Sequence, residues 1–275
     1  MTASQNDLMA VLQATLRPID HVSFNQMYTG RSRRWPEPIF VKVFAPERQG
    51  KFLTERAINL QLTDRVLTSC QLATGEWVLV MRDLQLMPLP KEFTTELAQT
   101  MGTVLARFHQ TVRLPQATRI NALDSEGVAD KVDQLATRPD YRQLVRLMTN
   151  FRQAAATIQA IFNRQSRVVL HGDVGRRNFQ FVNGQLALID FERAQIGYAQ
   201  TDFQKLFYQD FSGQPALIAA FLTGYGPTGQ LPDIAASWLS FVEAVGIFTY
   251  VQKLPDPQFE KVGQRLLAAI GQPFA

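Results

Sequence analysis

A single cysteine, Cys70, stands among 275 residues, so no intrachain disulfide can form. The opening stretch MTASQNDLMAVLQ lacks the basic and apolar regions of a signal peptide. Both features lead to the expectation of a reducing, cytoplasmic setting. Charge is scarce too. Charged residues make up 19% of the chain and no long basic run occurs, so the net +4 is a weak pull toward anionic partners. Nucleic-acid binding would rest on the pI near 9.3 alone. Internal repeats and low-complexity tracts are absent. The most apolar stretch, Ile234 to Gln252, is nearly long enough to cross a bilayer. It carries Ser237, Ser240, Glu243 and Thr249, which favours a buried helix over a membrane span. The expectation is a protein with neither a nucleic-acid nor a membrane partner.

What the chain does have is apolar content, 46% of its residues, enough for a substantial core in one bilobal domain or two small ones. Strand signals come first. Residues 1–17 predict a short amphipathic helix ended by Pro18, Ile19 to Tyr28 and Ile39 to Phe44 predict strands, and KFLTERAINLQL predicts a helix containing Glu55. Ser69 to Met81 predicts a hairpin turning at Thr74-Gly75-Glu76. From Glu92 on the pattern is helical: one long helix through Val112, then helices over Asp124 to Thr137 and Tyr141 to Asn163. Short ones follow over Asp202 to Asp210 and Pro215 to Leu222, then 234–252 and Phe259 to Ile270. Strands first and helices afterwards fit an α+β architecture.

The densest chemistry lies in VVLHGDVGRRNFQFVNGQLALIDF, Val168 to Phe191. Asn183-Gly184, flanked by alternating apolar residues, is a strong hairpin signal. A two-residue turn there pairs Val182 with Gln185 and sets Asn178 across from Ile189, so Asn178 and Asp190 come to the open end of one ribbon. One amide oxygen and one carboxylate suit Mg²⁺, which is usually held by one or two protein oxygens plus substrate phosphates. Asp173, on the loop entering the ribbon, is then free to take a proton.

His171, Gly172 and Asp173 followed by Asn178, with Asp190-Phe191-Glu192 as a DFG-like triplet, resemble the small-molecule branch of the kinase fold: aminoglycoside phosphotransferases, choline kinases and fructosamine kinases. The resemblance implies a bilobal protein-kinase-like fold. Residues 1–82 would form a small β-rich N-lobe with one helix that covers the nucleotide. Residues 83–275 would form a larger, mostly helical C-lobe with the catalytic loop and the acceptor site. It implies ATP or GTP and Mg²⁺ as cofactors, Asp173 as base, and Asn178 and Asp190 as metal ligands. Lys42, in mid-strand, would grip the α and β phosphates while Glu55 holds it. Adenine would meet the backbone near Met81 and Asp83, and Asp202 would brace the catalytic loop. His171 would support that loop, and His109 would be a packed or capping residue. The reaction implied is transfer of the γ-phosphoryl group to a hydroxyl of a small molecule such as an amino sugar, amino alcohol or ketosamine.

Two features leave the reading open. No GxGxxG occurs between Ile19 and Lys42, which supports the alternative of a catalytically silent, nucleotide-binding regulatory module. Arg31, Arg33 and Arg34 there either contact phosphates or form a solvated hairpin tip. Arg176 and Arg177 either stabilise the transferring phosphoryl group, bind an anionic substrate, or pair with Glu192 or Asp202. From Glu192 onward seven acidic residues stand against five basic ones, which exerts no strong pull toward a polycation.

Overall fold

The computed structural model describes residues 5–20, 24–114 and 123–270. Parts of two predicted elements, residues 1–4 of the first helix and 21–23 of the first strand, lie outside these. In chain order the first elements are α1 (Gln5–Leu12), β1 (Ala14–Pro18), β2 (Gln26–Ser32), β3 (Ile39–Phe44), α2 (Gln49–Leu62), β4 (Val66–Gln71), β5 (Trp77–Arg82) and β6 (Leu86–Pro88). Next come α3 (Thr95–Thr111), α4 (Ser125–Gln134), α5 (Tyr141–Gln153), α6 (Ala155–Asn163), β7 (Arg167–Leu170), β8 (Phe179–Val182), β9 (Gln185–Leu188) and β10 (Gln195–Tyr198). A 3₁₀ turn at Ala199–Asp202 then leads into α7 (Phe203–Lys205), a π-helical turn at Leu206–Asp210, α8 (Pro215–Tyr225), α9 (Asp233–Lys253) and α10 (Pro257–Ala269). The protein is thus α+β, a β-sheet part followed by a helical part.

Two compact units emerge. One comprises Met1–Pro88, Val112–Ala117 and Gln180–Ala194; the other comprises Leu89–Thr111, Thr118–Phe179 and Gln195–Ala275. The sequence-based boundary after Arg82 placed the ribbon residues 180–194 with the helices, whereas their contacts group them with the sheet.

The first unit is built on an antiparallel sheet of order β1-β2-β3-β5-β4. The IFVKVF of β3 alternates between two covered faces. Ile39, Val41 and Val43 join Leu8 and Leu12 of α1 with Val78 and Val80. Phe40 and Phe44 join Phe52 of α2 with Leu79 and Met81. A strand packed on both sides reads as a continuous apolar run, and the period of two puts Lys42 on the α2 face. The helix expected over 1–17 stops at Leu12. Gln13 turns through a left-handed φ of +48°, and Ala14–Pro18 becomes an edge strand paired with β2. Leu16, 3% exposed, fills the same core that a helical position would have filled. Pro18 is tolerated because β1 lies at the sheet edge. β6, β8 and β9 form a separate three-stranded ribbon. Asn183 and Gly184, at φ +50° and +79°, make the expected two-residue turn.

The second unit packs around α9. Trp238, Phe241, Val245 and Phe248 lie in one cluster with Phe151, Phe162, Leu144 and Leu266, and the Phe151 ring meets Trp238 edge-on at 5.4 Å. Among the described residues α9 is the helix long and apolar enough to cross a membrane, with a mean hydropathy of 1.6, yet 61% of that window is buried inside the protein. A helix apolar on most sides suits a central position. α3 and α8 cross at Gly102 and Gly224. A Cβ on Gly102 would fall on the Phe221 carbonyl oxygen, and one on Gly224 on that of Gln99, so the backbones touch where side chains are missing. The single helix expected over Tyr141 to Asn163 is two, broken at Ala154. The helix expected over Asp202 to Asp210 is a succession of 3₁₀, α and π turns.

Candidate active site

The predicted site residues fall in both units: Lys42, Glu55, Met81, Asp83 and Asp190 in the first, Asp173 and Asn178 in the second.

In the first unit Lys42 is 4% exposed. Its Nζ lies 2.6 Å from Asp190 Oδ1, 3.1 Å from Glu192 Oε2 and 3.8 Å from Glu55 Oε2. The expected Lys42–Glu55 pair is therefore present, with Asp190 closer. Burial alone would lower the Lys42 pKa; Glu55, Asp190 and Glu192 more than reverse that and hold it above its usual value, so the ammonium is kept charged. Asn59 Nδ2 donates to the other Glu55 oxygen at 3.2 Å. Glu192 also accepts from Arg48 at 2.9 Å and from Asn25. Asp190 adopts a left-handed φ of +66°, a conformation that aspartate tolerates better than most side chains. Three carboxylates thus surround two cations, Lys42 and Arg48. The Asp190 side chain is the open one, 40% exposed against 12% for Glu192 and 4% for Glu55. Farther along the sheet, Met81 is buried in β5, paired with Phe40 and Val66. Asp83 donates its amide to Pro38 O at 2.9 Å and accepts the Thr29 hydroxyl.

In the second unit the loop after β7 turns at Gly172, φ +77°, a conformation that favours glycine. The His171 and Gly172 amides donate to the two oxygens of Asp202 at 2.6 and 2.9 Å. His109 Nε2 meets Asp202 at 3.1 Å and its Nδ1 meets the Tyr225 hydroxyl at 2.8 Å. Burial, and then Asp202, raise the Tyr225 pKa, so that hydroxyl stays protonated. Asp202 is the expected brace, and His109 is the packed residue that holds it. His171 is fully buried, with Phe108 at 5.9 Å.

Asp173 is 6% exposed, and two cations grip its carboxylate: Lys205 at Oδ1 and Arg177 at Oδ2. Burial pushes its pKa up, but Lys205 and Arg177 together hold it below the usual carboxylate value. Asn178 ends a 3₁₀ turn just before β8 and donates Nδ2 to the Asp173 carbonyl at 2.8 Å, which leaves Oδ1 as its accepting end. Arg176 donates its guanidinium to the Pro90 and Lys91 carbonyls, its carbon 4.3 Å from the Phe93 centroid, and its amide to Asp210 at 2.8 Å. Arg177 thus pairs with Asp173, and Arg176 holds the loop at 90–91.

Lys205 and Asp210 escaped the sequence reading as partners, and Glu192 escaped it as a partner of Lys42. Glu192 stood in the DFG-like triplet as a departure, and its charge was the signal that could have placed it on Lys42. Lys205 and Asp210 sit in a stretch whose turns change period, so helical spacing gave no guide.

No group of three or more His, Cys, Asp or Glu that could hold a metal occurs among the described residues. In donor type alone, an amide oxygen and an exposed carboxylate fit a divalent ion that takes its remaining oxygens from phosphates and water.

The model of the phosphotransferase enzyme family (APH) matches residues 15–238. No curated protein matches the sequence. Among solved structures, choline kinase LicA from Streptococcus pneumoniae aligns with a TM-score of 0.65 at 14% identity, over 97% of this chain and 96% of its own. A thermostable mutant of aminoglycoside phosphotransferase APH(4)-Ia, in ternary complex with ADP and hygromycin B, aligns at 0.66 and 12% identity over 100% of both chains. The apoenzyme of macrolide 2'-phosphotransferase MphH from Brachybacterium faecium aligns at 0.60 and 15% identity, over 98% of both. These likenesses establish a protein-kinase-like fold.

Proposed function

Because the chain belongs to the phosphotransferase enzyme family, a family of small-molecule phosphotransferases, we propose that it moves the γ-phosphoryl group of ATP to a hydroxyl of a small metabolite or drug-like molecule in the cytoplasm, with Asp173 as base. The observation that carries this reading is the Lys42 cluster: a buried ammonium kept charged by Glu55, Asp190 and Glu192, as a grip on phosphate requires. ADP in the APH(4)-Ia complex supports a nucleotide as donor.

Asp173 orients the acceptor hydroxyl and takes its proton. The oxygen–phosphorus bond forms as the bond from the γ phosphorus to the bridging oxygen breaks, and ADP leaves with that electron pair. Lys42 meets the α and β phosphates, and Met81 and Asp83 mark the stretch that faces adenine. Asn178, through Oδ1, and Asp190 would hold Mg²⁺, whose chemistry is charge neutralisation on the phosphates. Catalysis is then positioning plus electrostatics, with Arg177 and Lys205 supplying positive charge beside the base. Choline, hygromycin B and a macrolide, as named for the neighbours, have hydroxyl groups in common but little else, so the acceptor class here spans amino alcohols, amino sugars, ketosamines and related alcohols.

The test is a phosphoryl-acceptor screen with ATP and GTP over those classes, run with wild type and Asp190→Ala. Magnesium-dependent product from wild type and none from a folded Asp190→Ala supports the reading. Normal turnover by Asp190→Ala removes the metal site. Nucleotide binding with neither hydrolysis nor transfer favours the silent regulatory module.

A further inference from the structure

Asp173 is fixed by more than the residues that its motif contains. The stretch from Asp202 to Asp210 touches the catalytic loop three times. Asp202 holds the amides of His171 and Gly172, on the upstream side of Asp173. Lys205 reaches the Asp173 carboxylate itself. Asp210 accepts the amide of Arg176 at 2.8 Å, on the downstream side. Three different backbone geometries bring these three contacts to one loop. In an α-helix a residue five positions on points to another side. Here the turn from Leu206 to Asp210 closes with an i→i+5 bond, Phe211 N to Leu206 O at 2.9 Å, and that wider turn brings Asp210 round toward the side of Lys205.

Gly175 completes the fit. Its backbone is extended, so no unusual conformation demands glycine there. A Cβ would lie 3.1 Å from Asp210 Oδ2, a tight contact, and 3.6 Å from Lys205 Cε and 3.8 Å from Lys205 Nζ, ordinary packing distances. The loop backbone at Gly175 thus lies against both the lysine and the aspartate. The Lys205 side chain is 27% exposed and that of Arg177 is 59%, so Lys205 is the more enclosed of the two cations on the base. Burying charge beside charge in this way is retained only where each partner has its counterpart.

We propose that Lys205 and Asp210 are positioning residues for Asp173: Lys205 sets the direction of its carboxylate, and Asp210 fixes the backbone of the loop through Arg176 N–H. This assignment rests on Asp173 being the base. Neither residue belongs to the HxDxxxxN pattern; the end of α7 supplies Lys205 and the π turn supplies Asp210.

The experiment compares Lys205→Met, Lys205→Arg and Asp210→Ala with wild type, reading kcat and KM for nucleotide and acceptor together with amide exchange. Lys205→Met lowers kcat by about tenfold or more while KM for the nucleotide stays within about twofold, and Lys205→Arg recovers several-fold of the loss. Asp210→Ala speeds exchange at the Arg176 amide by about tenfold or more and leaves the His171 and Gly172 amides unchanged. Lys205→Met with kcat within twofold of wild type, a Lys205→Arg no better than it, or an unchanged Arg176 amide overturns the assignment. If Lys205→Met fails to fold, Lys205→Gln takes its place with the same criteria. Wild-type transfer that does not depend on Asp173 sinks the base instead, and the exchange data then still decide whether Asp210 holds the loop.

Discussion

Asp210 accepts the Arg176 amide, yet burial outweighs that bond and raises its pKa above the usual 3.8. Its contribution to stability is most favourable below the unfolded value and is lost as pH rises through the raised folded value. Asn keeps the shape and can still accept the amide without carrying a charge. Asp210→Asn is therefore at least as stable as wild type at pH 7 in thermal melts, and the difference closes as pH falls toward 4. A lower melting temperature for Asp210→Asn at pH 7 contradicts this. Such a residue costs stability where it serves the loop, as positioning groups often do. The spacing of Lys42, Glu55, Asp173, Asn178 and Asp190 was legible because a strand, a helix and a hairpin each fix their own residues locally. The partners Glu192, Arg177, Lys205 and Asp210 were not, since who pairs with whom depends on chain segments brought together only by folding. Arg176 shows the same limit: a sequence shows its charge, but not that the guanidinium caps the Pro90 and Lys91 carbonyls.

Elements divide the same way. β3, α2 and the Asn-Gly hairpin followed from period and turn chemistry, and α3 and α9 lie within a few residues of their expected bounds. β1 did not, because ATLRP carries one large apolar residue, Leu16, that suits either period, and only the left-handed turn at Gln13 separates it from α1. Nor did the break at Ala154, where no glycine or proline marks the end of α5. Glycines sort the helices further. Gly224→Ala in α8 forces its backbone off Gln99 of α3, a cost of about 1–3 kcal/mol that outweighs the propensity gain of about 1 kcal/mol. Gly246→Ala in α9 meets nothing within 4 Å and should gain from propensity instead. Thermal melts of the two variants should therefore move in opposite directions; a Gly224→Ala protein as stable as wild type would show that the α3–α8 crossing is looser than described.

At the scale of the whole molecule, the order of strands and then helices already fitted an α+β architecture. The grouping of residues 180–194 with the sheet was not legible, since it depends on pairing between β6 and β8, whose residues lie far apart in the chain. The most direct measurement of what Asp173 does is the single-turnover rate of transfer from ATP to an acceptor identified by the screen, for wild type and Asp173→Asn at equal nucleotide occupancy. Removal of a general base predicts a fall of about 10²–10⁴-fold with nucleotide affinity unchanged. Transfer by Asp173→Asn at the wild-type rate contradicts the account.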